Sequence, residues 1–395
     1  MPHRLFLFNP AHDMALANFT PYYQPPSEII RMAGDLSVLP LWYADAGDKV
    51  KVDKASRVEL WETPFFPRCS AWTEEWEPLP CCPWGWDPAL LHALRQGGIG
   101  GSLLPSDGQL RRIRYLSGRQ RCVEILHGFD GLPFTCGAAF VCRSLAEVRA
   151  LVERVGKSVL KSPWSGSGRG LVRLAPSSWD ASIEGWVARI LRTQGEIMVE
   201  PLYDKVLDFA MEFHADGRRG IRFAGYSMFE TDALGNYKAN LLASDAEIER
   251  RLFREVPAEW IHEIRGRLLQ ELARLLAADY EGYLGVDMMV CMSEGRKVVH
   301  PCVEVNLRMN MGIVARIISD RYLCPHAVGR YVVEHYQADG QALAAHEEMR
   351  RKHPLDVVAG RILRGYLSLT PVYEDTRYQI YVVMEAPGQM SIPMI

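Results

Sequence analysis

The stretch of residues 298–312, VVHPCVEVNLRMNMG, most constrains how this chain can fold. It begins as a buried strand, because β-branched and apolar residues dominate its first half. Glu304 and Asn306 follow two positions apart, so their side chains point to the same face of a strand. A carboxylate and an amide oxygen on one face suit Mg²⁺ that also contacts substrate phosphates. Arg308 lies on the same face if the strand continues. The alternative interpretation is a strand end whose polar side chains are only solvated.

A second strand, residues 285–290, carries an acidic residue in an apolar setting. Burying an unpaired carboxylate is costly, so we expect Asp287 to face a metal, a cation or water. The turn around residues 293–295 makes this strand the antiparallel partner of the first one. That pairing would bring Asp287 towards Glu304 and Asn306.

Residues 158–174 are typical of a strand, a glycine-rich loop and a second strand. Gly166, Gly168 and Gly170 stand at alternate positions, which lets the backbone approach a ligand and direct N–H groups at anionic oxygens. Lys161 ends the first strand, where its ammonium group can reach the same phosphates. The Gly-Lys-Ser/Thr ending of a Walker loop is absent, and a strand follows instead of a helix. A flexible hairpin tip is the alternative interpretation.

The N-terminal residues 4–8 predict a buried strand that runs into a polar loop. Open α/β sheets bind ligands at the carboxyl ends of their strands, so His12 and Asp13 are candidate site residues. The alternative is that Asp13 caps a short helix over residues 14–18. Short strands are expected at residues 36–43 and 57–61.

Helical periodicity is clear in several later segments. It predicts helices after Asp87, through residues 110–116, and at 144–156, 179–191, 258–276 and 341–351. The arginines at 111, 112 and 114 are interpreted as a solvated helix face rather than a phosphate site. A polar loop is expected at residues 229–240, where Tyr237, Lys238 and Asn240 are candidate substrate contacts.

The composition narrows the class of protein. The 395 residues are 48% hydrophobic and carry a formal net charge of −3, which allows two or three packed units and gives no basic field for nucleic acid. No apolar run reaches the length of about 18 residues that a membrane span needs. The nine cysteines lack paired spacing, which argues against a zinc site or a disulfide framework and favours a cytoplasmic protein.

Taken in order, these motifs resemble the ATP-grasp superfamily over residues 117–312. The resemblance implies an α/β chain, α+β in its ATP-grasp part, with antiparallel sheets in a two-lobed ATP-grasp domain. A Rossmann-like pre-ATP-grasp domain would occupy residues 1–116, and a small lid subdomain with the glycine-rich loop residues 117–202. The large subdomain with the metal site would follow at 203–330, and a C-terminal extension at 331–395 would pack on the core.

The resemblance also implies how ATP is held. Lys161 would contact the α- and β-phosphates, and Arg119 would replace the lysine that usually comes first, with Arg121 as its competitor. The flap over the triphosphate would comprise Ser165, Gly166, Ser167, Gly168 and Gly170. The adenine hinge would consist of Glu200, Pro201 and Leu202. Asp208, where the family usually has glutamate, would hold the ribose.

The remaining roles concern metal and substrate. Asp287, Glu304 and Asn306 would hold two Mg²⁺ ions, with Mn²⁺ as an alternative, and Arg308 would neutralise a substrate carboxylate or acyl phosphate. Gly285 stands where D-alanine ligases carry an arginine, which disfavours that specific activity.

The resemblance therefore implies an ATP- and Mg²⁺-dependent, ADP-forming ligase that joins a small-molecule carboxylate to an amine through an acyl phosphate. A phosphotransferase on the same scaffold and a non-catalytic ATP-binding module are the alternatives. Neither the two substrates nor the oligomeric state can be read from the sequence.

Overall fold

The computed structural model describes residues 3–69, 71–165, 170–232, 237–276 and 278–385. In this part of the chain, three β-sheets and their helices form a mixed α/β fold, which confirms the predicted fold class. No helix within these ranges is both long and apolar enough to cross a membrane.

The first sheet is parallel, with strand order β3-β2-β1-β4. Parallel neighbours require crossover connections, and helices provide most of them here. The strands are β1 (Leu5–Leu7), β2 (Lys49–Lys51), β3 (Trp72–Thr73) and β4 (Cys81–Pro83). The helices are α1 (His12–Asn18), α2 (Ser27–Asp35), α3 (Ala55–Glu59), α4 (Pro88–Gln96) and α5 (Asp107–Leu116), with 3₁₀ helices at Leu39–Trp42 and Gly101–Leu103.

Two strand predictions in this part are wrong. Residues 36–43 contain the 3₁₀ helix Leu39–Trp42, and residues 57–61 overlap α3. Every residue from 39 to 42 is buried, and a short apolar run does not distinguish a buried strand from a buried helical turn. The Trp42 indole N–H donates to the Leu369 carbonyl at 2.7 Å, which anchors this turn to the C-terminal part of the chain.

The second sheet is antiparallel, with strand order β5-β8-β6-β7. After α6 (Gln120–Leu126) and a 3₁₀ helix at His127–Phe129, its elements are β5 (Phe140–Cys142), α7 (Leu145–Val155), β6 (Ser158–Lys161), β7 (Leu171–Leu174), a 3₁₀ helix at Pro176–Ser178, α8 (Ala181–Gln194) and β8 (Ile197–Pro201). We call these elements from β5 to β8 the β5–β8 unit. Its own apolar core joins α7 and α8 to the sheet. Residues 166–169 of the glycine-rich loop, which include Gly166, Ser167 and Gly168, lie outside the described residues.

The third sheet is antiparallel throughout, with strand order β13-β12-β9-β10-β11-β14-β17-β16-β15. Its strands are β9 (Asp204–Asp216), β10 (Ile221–Thr231), β11 (Tyr237–Leu242), β12 (Glu281–Ser293), β13 (Arg296–Asn306), β14 (Val328–His335), β15 (Asp356–Val358), β16 (Arg361–Ser368) and β17 (Tyr378–Glu385). The accompanying helices are α9 (Asp245–Glu255), α10 (Ala258–Leu276), α11 (Met311–Tyr322) and α12 (Gln341–Lys352). The main core lies between this sheet and helices that include α6, α9 and α10.

The predicted polar loop at residues 229–240 is only partly correct. β10 extends to Thr231 and β11 begins at Tyr237, while residues 233–236 lie outside the described residues. Asn240 is buried on β11, where its amide donates to the Ser227 hydroxyl of β10. A buried hydrogen-bonded asparagine looks like a loop residue in the sequence because its partner is distant in the chain.

A buried carboxyl group lies on an interior strand of the third sheet. Glu212 on β9 is 1% exposed, and its carboxyl oxygens occupy the space that side chains at Gly285 and Gly312 would need. A Cβ atom at either glycine would come within 2.4 Å of a Glu212 oxygen. The Asn310 amide donates to Glu212 Oε2 at 3.0 Å, but burial dominates and raises the pKa of Glu212 to about 8.

This burial predicts a pH-dependent stability. The pKa of Glu212 is higher in the folded state than its ordinary value of 4.5, so the folded chain holds this proton more tightly. The resulting stabilisation is complete below about pH 4.5 and is lost as the pH rises through about 8. Glu212→Gln removes this titration. The free energy of unfolding of the variant, relative to the parent, should therefore increase across this window, by at most about 1.4 kcal/mol per pH unit.

Urea unfolding at a series of pH values measures this difference. Glu259→Gln is the matched control, because Glu259 is exposed on α10. A difference for Glu212→Gln that stayed as flat as the control would contradict the buried titration.

Candidate active site

Two carboxylates face each other on adjacent strands of the third sheet. Asp287 on β12 lies directly opposite Glu304 on β13, and Asn306 lies opposite Gly285 on the same face. The Asn306 amide donates to Asp287 Oδ2 at 3.0 Å. Burial, and next the charge of Glu304, raise the pKa of Asp287 to about 7. The structure thus brings together the three residues that the sequence proposes as metal ligands.

Arg119 connects this pair to the start of the glycine-rich loop. Its buried guanidinium donates to Glu304 Oε1 at 2.7 Å and to the Ser162 carbonyl and the Ser165 hydroxyl at 2.7 and 2.6 Å. The loop returns at Gly170, whose φ of +72° suits glycine and whose carbonyl accepts from the Ser162 N–H at 2.9 Å. Arg119 therefore holds the Ser165 end of the loop beside Glu304, and the Gly170 end is held against Ser162.

Lys161 at the end of β6 is buried and paired within the β5–β8 unit. Its Nζ lies 2.6 Å from Glu200 Oε2 and donates to the Val303 carbonyl of β13 at 3.2 Å. Buried charges require partners. Here Lys161, the proposed phosphate contact, and Glu200 of the proposed adenine hinge neutralise each other. The hinge backbone is also engaged, because the Leu202 N–H donates to the Lys157 carbonyl at 2.9 Å.

Arg308 forms a bidentate ion pair with Asp13 of α1. Its Nε and Nη2 atoms lie 3.0 and 2.7 Å from the two carboxylate oxygens, and Nη2 also donates to Asn306 Oδ1 at 3.1 Å. Burial opposes ionisation of Asp13, but the charge and hydrogen bonds of Arg308, together with the charges of His12 and Arg119, outweigh burial and lower the pKa of Asp13. Asp13 lies inside α1 and no side chain caps that helix, so the capping alternative is wrong.

His12, the neighbour of Asp13, is buried over Gly85 at the carboxyl end of the first sheet. Its Nδ1 atom lies 4.0 Å from Asp87, which caps α4, the helix that the sequence predicts after Asp87. Burial lowers the pKa of His12 to about 4, so its imidazole is neutral near pH 7. A cleft separates α1 from β13, and its walls include His12, Asp13, Ser117, Ser165, Glu304 and Asn306.

The predicted residues Asp208, Tyr237, Lys238 and Asn240 do not line this cleft. Asp208 lies on β9, two residues from the strand partner of Asp287, and accepts from the Thr231 hydroxyl at 3.2 Å. Tyr237 and Asn240 hydrogen bond to each other on β11, and Lys238 between them is exposed. Three strand spacings, about 14 Å, separate β11 from β12. The structure therefore does not bring these three residues together with the proposed metal ligands.

Arg114 makes contacts that the sequence analysis does not predict. Its guanidinium lies over the Trp164 ring, 4.2 Å from the centroid, and donates to the carbonyls of Leu16 and Ala17 in α1. The predicted solvated face is thus wrong for this arginine, which fixes the helix that carries Asp13 against the start of the glycine-rich loop. No short-range pattern in the sequence signals such a contact, because its partners lie about 50 and 100 residues away.

Asn310 and Glu212 were also missed. Asn310 accepts from the Ile313 N–H and so starts α11, while its amide reaches Glu212. An asparagine before a helix is a recognisable capping signal. It was not identified here because the sequence analysis predicts no helix after Asn310.

Comparisons with known proteins identify the fold. No protein-family model and no curated protein matches the sequence. Among solved structures, N5-carboxyaminoimidazole synthetase from Staphylococcus aureus is similar with a TM-score of 0.51 and 9% identity, over 97% of this chain and 93% of that chain. Its complex with ADP gives a TM-score of 0.50 and 11% identity, over 98% and 94%.

A further similar structure is the biotin carboxylase domain of 2-oxoglutarate carboxylase from Hydrogenobacter thermophilus, in complex with MgADP, ADP and bicarbonate. Its TM-score is 0.42 with 11% identity, and the match covers 69% of this chain and 63% of that chain, less than two thirds of its length. At such low identities a likeness concerns the fold alone. The two synthetase structures match nearly the whole chain, and with the sheet arrangement described above they lead to the conclusion that this protein has the ATP-grasp fold.

Proposed function

We propose that this protein is an ATP- and Mg²⁺-dependent ligase that activates a carboxylate as an acyl phosphate, joins it to an amine and releases ADP and phosphate. One observation carries the proposal. Two arginines reach the Asp287–Glu304 pair, because Arg119 donates to Glu304, and Arg308 donates to Asn306, whose amide in turn donates to Asp287. The likeness to a synthetase that binds ADP supports a nucleotide at this face.

The residues fit a divalent cation. Asp287 and Glu304 repel each other across β12 and β13, and the raised pKa of Asp287 reflects that repulsion together with burial. Two carboxylates and the Asn306 amide form an all-oxygen donor set, which suits Mg²⁺ completed by phosphate oxygens and water. One or two ions would be held by these three residues, and Mn²⁺ accepts the same donors. Bound Mg²⁺ would neutralise negative charge on the phosphates.

The basic residues would hold the triphosphate. Lys161 and Arg119 flank the glycine-rich loop, and both are already oriented by partners, Glu200 and Glu304 respectively. Preorganised cations stabilise developing charge without the cost of reorganisation at the moment of reaction. The β5–β8 unit would act as the lid over the nucleotide.

Arg308 would hold the substrate carboxylate, and Asp13 would position Arg308. A carboxylate oxygen of the substrate then forms a bond to the γ-phosphorus, while the bond to the bridging oxygen breaks and ADP leaves. The amine next attacks the acyl carbon, and phosphate leaves as the amide forms. We place these substrates at the cleft between α1 and β13, which has neutral His12 in its wall.

The test is a screen of carboxylate and amine pairs with labelled ATP. We expect ADP and phosphate to form only with a productive carboxylate, and hydroxylamine to trap the intermediate as a hydroxamate. Formation of AMP and pyrophosphate, or of a stable phosphorylated product, would overturn the ligase proposal.

Substitution of Lys161 should weaken nucleotide binding. Lys161→Gln removes a charge-assisted contact worth about 1.5–3 kcal/mol but keeps a hydrogen-bond donor for Glu200. We expect the Kd for MgATP in a calorimetric titration to rise about ten- to a hundredfold. The control is Lys297→Gln. Lys297 is a half-exposed lysine on β13 that pairs with Glu255 at the end of α9. Equal affinities in the two variants would reject Lys161 as a phosphate contact.

Substitution of Arg308 should affect chemistry rather than nucleotide binding. Arg308→Lys keeps a positive charge beside Asp13 but loses the planar fork that binds a carboxylate through two N–H groups. With a carboxylate found in the screen, we expect hydroxamate formation to fall about a hundredfold, because the carboxylate is then poorly positioned for attack on the γ-phosphate. The Kd for MgATP should not change. Arg296→Lys, at an exposed position of β13, is the control. Undiminished trapping would show that Arg308 is not the carboxylate contact.

A further inference from the structure

Two free cysteines that are distant in sequence lie in contact beside the β5–β8 unit. The sulfur atoms of Cys136 and Cys291 are 3.4 Å apart, although 155 residues separate them in the chain. Cys291 is fully buried within β12, whereas Cys136 is partly exposed. The pair therefore combines a fully buried inner cysteine with an outer cysteine that is partly exposed.

The pair lies where the chain enters the β5–β8 unit. The Cys136 N–H donates to the Val299 carbonyl at 2.9 Å, and the Val299 N–H donates to the Phe134 carbonyl at 3.0 Å, so this segment runs along β13. Gly137 follows with a φ of +125°, and a Cβ atom there would lie only 3.0 Å from the ring of His300. The path of the entering segment is therefore tightly defined.

The chain leaves the unit at the same place. Tyr203 comes two residues after β8, and its ring meets that of His300 edge-on with 5.5 Å between the centroids. Its phenol also lies near the backbone of Gly137. Both connections of the β5–β8 unit thus meet beside the two thiols. We call these connections, residues 134–139 and 202–204, the hinge of the β5–β8 unit. A change at Cys136 therefore acts on this hinge.

We propose that Cys136 and Cys291 form a redox-active dithiol site, whose oxidation by a hydroperoxide gives a disulfide that restrains the hinge of the β5–β8 unit. The site is independent of the proposed ligase reaction, because neither cysteine belongs to the residues that hold nucleotide, metal or substrate.

The oxidation is balanced with hydrogen peroxide as the two-electron oxidant. The Cys136 sulfur attacks one peroxide oxygen, the O–O bond breaks, and the hydroxide that leaves takes up the Cys136 thiol proton to give the first water. Cys291 then attacks the resulting sulfenic sulfur, the S–O bond breaks, and the second water leaves with the remaining thiol proton. Two thiols and one peroxide yield one disulfide and two waters.

The bond would pull on the outer segment. A disulfide requires a sulfur separation of about 2.05 Å, so the sulfurs must approach by about 1.3 Å. Strands β9 and β13 pair with β12 on both sides of Cys291, which holds the inner sulfur in place. Most of the movement therefore falls on Cys136 and the entering segment.

Other thiols in the described residues fit this role less well. Cys122 and Cys302 interact with each other, but they are only 2% and 1% exposed, so a peroxide does not reach them. Cys324 is partly exposed, and its thiol contacts the carbonyls of Val358 and Arg361 instead of a second sulfur.

The full-length protein is treated with hydrogen peroxide and digested without reduction for mass spectrometry. We expect a linked peptide pair containing Cys136 and Cys291, the loss of two titratable thiols, and their recovery with dithiothreitol. Cys136→Ser should prevent the linkage, whereas Cys324→Ser should not. Absence of the linked pair from the parent, or an equal loss of thiols in Cys136→Ser, would overturn the site.

Hydrogen exchange measures the effect on the hinge. In the oxidised parent, exchange in residues 134–139 and 202–204 should slow at least about threefold, and Cys136→Ser treated alike should exchange as the untreated protein does. A disulfide that forms without slower exchange in either segment would overturn the restraint. Neither the disulfide measurement nor the exchange measurement requires nucleotide. Failure of the ligase proposal would therefore leave both results unchanged, and failure of the dithiol proposal can be distinguished from it.

Discussion

The repulsion between Asp287 and Glu304 is the constraint around which the candidate site is arranged. The register of β12 against β13 places the two carboxylates opposite each other, and burial makes their mutual charge costly. The structure offsets this cost with donors, since the Asn306 amide contacts Asp287 and the Arg119 guanidinium contacts Glu304. A site of this kind gains most from an additional cation between the two acids, which is the role that we propose for Mg²⁺.

The same contacts connect three distant parts of the chain. Asp13 on α1 holds Arg308, which reaches Asn306. Glu304 on the same strand as Asn306 holds Arg119, which donates to Ser162 and Ser165 at the start of the glycine-rich loop. Arg114 adds a second link, because it joins the backbone of α1 to the ring of Trp164. The position of the loop is therefore coupled to α1 through charged side chains that are mostly shielded from solvent.

The extent of prediction from the sequence follows from the range of the contacts. The strands around Asp287 and Glu304, and the turn between them, are local and were predicted with the correct pairing. The 3₁₀ helix at Leu39–Trp42 was not, because burial on all sides removes the periodicity that separates strand from helix. Glu212 and Arg114 were missed for a different reason, since their environments are assembled from segments far apart in the chain.

Each cation that we assign to the substrates already has a carboxylate partner, namely Glu200 for Lys161, Glu304 for Arg119 and Asp13 for Arg308. Without these partners the buried charges would be strongly destabilising, so the acids keep the cations in place while no ligand is bound. An arriving phosphate or carboxylate must share its cation with the resident acid, which reduces the net gain in binding free energy. The arrangement therefore favours precise orientation of the substrates over tight binding, because a cation held by two acceptors has little freedom to move.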